Sequence, residues 1–138
     1  EVYCWGKGSL GRIGNGETTD QLVPVKLTKL QSVNAVAVGE NQSCAIVSGG
    51  KVFCWGYAGV GSMGNGQPTA AVQDVPILVS GIENVTKIVS SGWGVCALNK
   101  LGKVLCWGAV GTIDSNGQLQ LKISMKKNMK NQYLKLER

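Results

Sequence analysis

The chain has 138 residues, of which 43% are hydrophobic and 16% charged, with 20 glycines and no histidine. That content supports a packed core rather than bulk disorder, and no run of about 18 apolar residues is present to form a membrane-spanning helix. Most of the net charge of +6 sits in the last segment, where Lys122, Lys126, Lys127, Lys130, Lys135 and Arg138 face only Glu137, so a basic nucleic-acid-binding face on the nearly neutral body is not expected.

The first element is strand-like, VYCWG at 2–6, and reads as the inside of a larger unit and not as a translation start. A glycine-rich segment, KGSLGRIGNG, follows at 7–16. Alternating and β-branched residues then predict four strands at 22–27, 33–38, 43–47 and 51–56, separated by glycine-rich or polar stretches. The last of these carries VFCWG at 52–56, and a second glycine-rich segment, YAGVGSMGNG, follows at 57–66. The stretch VTKIVSSGWGVCALNKLGKVLCWG (85–108) aligns without gaps on VNAVAVGENQSCAIVSGGKVFCWG (33–56) and ends in the third pentad, VLCWG. Beyond it, AVGTIDSNG replaces the glycine-rich pattern at 109–117, QLQLKISM at 118–125 reads as a further strand, and 126–138 as a basic, solvated end.

Repeats spaced 50 and 52 residues apart, with four short strands per unit, predict an all-β fold: a partial β-propeller, with a tandem β-sandwich as the alternative. The expected units are 1–16, the end of a preceding blade and its glycine-rich loop; 17–56 and 57–108, two full four-stranded repeats; and 109–138, a divergent hairpin and basic tail. The sequence pattern, C-W-G, a segment ending in G-N-G, V-P-V, V..V..G, C-A-[IL] and G-K-V-x-C-W-G, resembles the regulator of chromosome condensation repeat family over residues 2–108. The cysteine-bearing form is similar to extracellular members of that family. The resemblance implies a ring of about seven four-stranded blades, which this length is too short to close. Gln42-Ser43 and Gly94-Val95 stand where the family often has His-Thr.

The five cysteines are Cys4, Cys44, Cys54, Cys96 and Cys106. With Ser48-Gly49-Gly50 as a three-residue loop, Cys44 falls opposite Cys54; with Lys100-Leu101-Gly102 as loop, Cys96 falls opposite Cys106. Two copies of one register predict two disulfides, and hence an oxidising compartment: secreted or extracellular, with the periplasm or cell surface included. Cys4 occupies the place of Cys54 and is expected to be free or paired outside this chain.

Trp5, Trp55 and Trp107 recur once per repeat and are expected to pack blade on blade. Trp93 stands apart in Gly92-Trp93-Gly94, where an exposed ring on a loop is a candidate binding anchor. Gly14-Asn15-Gly16 and Gly64-Asn65-Gly66 read as turns at positive φ and not as phosphate loops, because no helix follows. Scattered carboxylates and the absence of histidine point away from an enzyme, a metal site or a cofactor. The expected function is non-catalytic protein binding as part of a secreted or cell-surface propeller, with flanking propeller repeats as further partners and no role for the tail in binding nucleic acid or anionic lipid. The alternatives are guanine-nucleotide exchange or chromatin-associated regulation, which the resemblance to nuclear members implies, and a structural fragment without a partner.

Overall fold

The computed structural model describes residues 1–66 and 72–109, and beyond them only the backbone of four two-residue strands. The chain forms antiparallel sheets throughout. β1 (Tyr3–Gly6) pairs with β2 (Gln21–Lys26). β3 (Val33–Val38), β4 (Gln42–Val47), β5 (Val52–Tyr57) and β6 (Val72–Leu78) form one four-stranded sheet in sequence order. β7 (Val85–Ser91), β8 (Gly94–Asn99) and β9 (Val104–Gly108) form a three-stranded sheet. The short strands β10 (Thr112–Ile113) and β11 (Leu119–Gln120) pair with each other, as do β12 (Ile123–Ser124) and β13 (Lys135–Leu136). The segment expected as one strand at 118–125 is thus divided between two pairings. The connection of the hairpin expected within 109–138 and most of the basic end lie outside the described residues.

The strands fall where alternation places them, but the sheets do not follow the repeat boundaries at 17–56 and 57–108. β2 joins β1 of the unit before it, and β6 joins β5 of the unit before it. These two sheets therefore each take a strand from the next repeat. Alternation reveals a strand and its two faces, but not which neighbour supplies its hydrogen bonds. The four-stranded blade accordingly runs from Val33 to Leu78, and the described residues contain one such blade between two partial ones.

Two apolar layers hold the sheets face to face. Cys44, Ile46, Val52 and Cys54 of the central blade pack with Val85, Val95 and Ala97 of the following one, with Met63 and Val79 filling the layer. On the opposite face, Ala45 and Trp55 pack with Val2, Leu27 and Leu30. The period of two along β4 and β5 thus serves both interfaces, which is why β4 is buried along nearly its whole length.

The glycine-rich segments cross from one blade to the next. Each makes a short 3₁₀ turn, Ser9–Gly11 and Gly59–Gly61, with a non-glycine residue at positive φ in its middle, Leu10 at 63° and Val60 at 55°. Beyond the turns, Gly14 and Gly64 adopt φ of 83° and 61°. A Cβ on Gly14 would lie 2.7 Å from the Trp55 ring, and one on Gly64 2.9 Å from Nε1 of Trp107. The indole nitrogens donate to the same segments, Trp55 Nε1 to the Arg12 carbonyl at 2.9 Å and Trp107 Nε1 to the Ser62 carbonyl at 3.0 Å. Trp55 and Trp107 are therefore each clamped beneath the glycine-rich loop of the preceding repeat, whereas Trp5, expected to pack in the same way, is 62% exposed.

Candidate functional site

The disulfides come directly from hairpin register. Val47 N–H donates to the Lys51 carbonyl at 2.9 Å, which makes Cys44 and Cys54, three residue pairs along, a non-hydrogen-bonded pair. Such pairs are the close ones of an antiparallel ladder. Their Cα atoms lie 4.1 Å apart and the sulfurs are bonded. The second hairpin repeats this, with Asn99 N–H on the Lys103 carbonyl and Cys96 bonded to Cys106, again at 4.1 Å between Cα atoms. Cys4 is a free thiol, half-buried in β1, and burial pushes its pKa up.

Trp93 projects from the β7–β8 turn at one rim of the blades and is 40% exposed. Its ring meets Tyr57, at the end of β5 in the neighbouring blade, with centroids 5.7 Å apart and planes tilted by 57°. This is the tilted geometry that aromatic quadrupoles favour. The tyrosine ring lies over Gly59, where a Cβ would sit 2.3 Å from it. The alternation of aromatic and glycine in YAG is therefore a steric requirement of the rim.

The backbone beneath these rings is tied across the blades. Tyr57 N–H donates to the Asn41 carbonyl at 2.8 Å, and Ala109 N–H donates to the Trp93 carbonyl at 3.1 Å, the same bond in successive repeats. Glu40 N–H donates to the Gly92 carbonyl at 3.1 Å and joins the two rim turns. Buried Gln42 donates through Nε2 to Ser90 Oγ at 3.1 Å, and that hydroxyl reaches the Gly94 carbonyl at 3.3 Å. The rim is a braced surface carrying two aromatic rings beside exposed Glu40 and Val60.

This arrangement can supply an aromatic contact on a fixed backbone, which is what a binding anchor needs. Among the described residues no three His, Cys, Asp or Glu side chains converge as metal ligands, and no helix is long and apolar enough to cross a membrane. Cys44 and Cys54 lie in the layer between the central blade and the following one. Tyr57 was not singled out by sequence reasoning; its place directly after the CWG pentad, where the other repeats have Lys7 and Ala109, was the available signal.

Residues 1–46 and 49–98 match the family model described as Regulator of chromosome condensation (RCC1) repeat. Human E3 ubiquitin-protein ligase HERC2 is 30% identical over 114 residues, covering 78% of this chain and 2% of that protein. The ultraviolet-B receptor UVR8 of Arabidopsis thaliana is 33% identical over 54 residues, 38% of this chain and 12% of that protein. The crystal structure of human WBSCR16 superposes with a TM-score of 0.70 at 28% identity, over 78% of this chain and 28% of that one. That of Prp20p from Saccharomyces cerevisiae, described with its binding to Gsp1p and histones, superposes with a TM-score of 0.69 at 23% identity, over 80% of this chain and 28% of that one. This chain therefore spans only a small part of each relative. With the family model matched across both repeats and the same blade architecture in solved relatives, the chain belongs to the regulator of chromosome condensation repeat family and forms a segment of its β-propeller.

Proposed function

We propose that this segment is a non-catalytic protein-binding module of a secreted or cell-surface propeller, and that it engages its partner through the rim bearing Trp93 and Tyr57. The observation that carries the reading is Trp93 itself, a large ring left 40% exposed on a turn whose backbone is bonded on both sides. Aromatic anchors on rigid scaffolds contribute disproportionately to binding, because little conformational freedom is lost when they are covered. The lack of histidine and the dispersed carboxylates support a binding role over catalysis. The two disulfides support an oxidising compartment.

The test screens purified, oxidised protein against an array of extracellular proteins, with Trp93→Ala and Tyr57→Ala in parallel. A partner held by the unsubstituted protein and weakened by Trp93→Ala at about the tenfold level or more, roughly 1.4 kcal/mol, supports the rim. Partners that bind both proteins equally, at unchanged melting temperature, place recognition elsewhere.

A further inference from the structure

The sequence holds two Asn-X-Ser/Thr triplets, Asn41-Gln42-Ser43 and Asn84-Val85-Thr86, and the fold treats them differently. Asn84 stands at the entry to β7, where the period of a strand sets residues 84 and 86 on one side and 85 on the other. Val85 is accordingly buried in the layer between blades, whereas Asn84 and Thr86 are both exposed. The Thr86 hydroxyl donates to the Leu98 carbonyl at 3.2 Å on that exposed side. The Asn84 backbone is fixed. Its carbonyl accepts from Lys100 N–H at 2.9 Å, and the next amide, Val85 N–H, donates to the Gly50 carbonyl at 3.0 Å. Gly50 packs so closely that a Cβ there would lie 2.7 Å from Asn84 Cα. Asn84 has a φ of 54°, yet the turn does not call for asparagine: Ser32 holds the same place in the preceding repeat at 50°, with its carbonyl accepting from Ser48 N–H at 2.9 Å. Nor does the strand call for Thr86, which aligns with Asn34. The exposed amide and exposed hydroxyl, two residues apart, therefore belong to this repeat and not to the shared geometry. In the other triplet Asn41 is half-buried, Gln42 is 2% and Ser43 7% exposed, and the Asn41 carbonyl accepts from Tyr57 N–H at 2.8 Å.

We propose that Asn84 is an N-glycan acceptor and Asn41 is not, so that a glycan stands on the rim opposite Trp93. The inference rests on the reading of the chain as secreted, since the transferase that uses this triplet works in a eukaryotic secretory route. There Asn84 Nδ2 attacks C1 of the first N-acetylglucosamine of an oligosaccharide carried on a lipid diphosphate. The N–C bond forms, the bond from C1 to the diphosphate oxygen breaks, and the lipid diphosphate leaves with the proton that the amide loses. β7 separates Asn84 from the Trp93 turn by roughly 20 Å at about 3.3 Å per residue, so the glycan covers one rim and leaves the aromatic rim open. A glycan on Asn41 would crowd buried Gln42 and Ser43 and the bond to Tyr57, and chains carrying it are not expected among folded, secreted molecules.

The test expresses the full chain behind a cleavable secretion signal in cultured mammalian cells. The recovered protein is treated with peptide N-glycosidase in heavy-oxygen water, which turns a glycosylated asparagine into a labelled aspartate. The label is expected on Asn84 and not on Asn41. Asn84→Asp and Thr86→Val should each lower the intact mass by one whole glycan, and Thr86→Ser should keep it. Aspartate tolerates positive φ and valine keeps the β-branched shape of the strand residue, so both variants retain the fold. An unmodified Asn84, a glycan on Asn41, or a glycan that survives Thr86→Val would overturn the proposal. Thiol labelling of the same sample reads the compartment separately: free thiols at Cys44, Cys54, Cys96 and Cys106 would count against the secreted reading and leave the result at Asn84 standing.

Discussion

Trp55 shows how one side chain can set a blade interface. It is almost fully buried, it fills the layer formed with Val2, Leu27 and Leu30, and its indole N–H satisfies the Arg12 carbonyl. Trp55→Ala is expected to lower the unfolding free energy by about 3–5 kcal/mol, measured by urea titration. Trp55→Phe should lose less, since it keeps the ring and gives up one hydrogen bond worth about 1 kcal/mol. A loss below 1 kcal/mol for the alanine variant would show that the indole is not part of the core. Cys4 permits a second measurement. Burial raises its pKa in the fold, so the thiol form is favoured there over the thiolate. Its contribution to stability is fully present below the ordinary thiol range and is lost as pH rises through the folded-state pKa. Iodoacetamide should therefore alkylate Cys4 with a pH midpoint above that of the same chain in urea, and coincident profiles would contradict the burial. The recurrent tryptophans and the two cysteine pairs were legible as residues because repetition at fixed spacing separates packing from chance. The glycines facing the indoles were legible only as turns: positive φ follows from sequence type, whereas a contact with a ring 43 residues away in Arg12–Trp55 terms requires the blades to be stacked first.

At the level of the element, the β4–β5 and β8–β9 hairpins are the best specified pieces. Loop chemistry, register and cysteine spacing all agree, and the observed pairings of Cys44 with Cys54 and Cys96 with Cys106 follow from counting outward from the loops. What counting could not supply was the alternation of close and wide pairs, which brings these Cα atoms to 4.1 Å. Replacing Cys96 and Cys106 together by serine is expected to cost up to about 3 kcal/mol, read as a shift in the urea midpoint at constant slope. An unchanged midpoint would mean that the hairpin is equally confined without the bond. The sheet phase was the element-level feature that could not be read. β2 and β6 look like first strands of their repeats, but each joins the sheet before it, because hydrogen-bond partners are chosen in space and leave no trace in the hydrophobic pattern.

For the whole molecule, the propeller reading predicts ends that are not self-sufficient. The β1–β2 sheet leaves Tyr3, Trp5, Leu22 and Val23 substantially exposed, and apolar surface of that kind favours association. Sedimentation of the oxidised chain at micromolar concentration should show mass increasing with concentration, and a monodisperse monomer that binds no hydrophobic dye would refute this. Family membership and the all-β class were legible from the repeats alone, while the rim contact between Tyr57 and Trp93 emerged only when neighbouring blades were set side by side. The offset between repeat and sheet has a further consequence for how such arrays change in length. A cut at any point in the fifty-residue period, followed by duplication or loss of one whole period, restores both the split sheet and the tryptophan clamp at the new junction. The array has no privileged seam, so recombination need not respect a domain boundary. Growth and shrinkage by whole periods preserve every local contact, and only the ring as a whole registers the change in number.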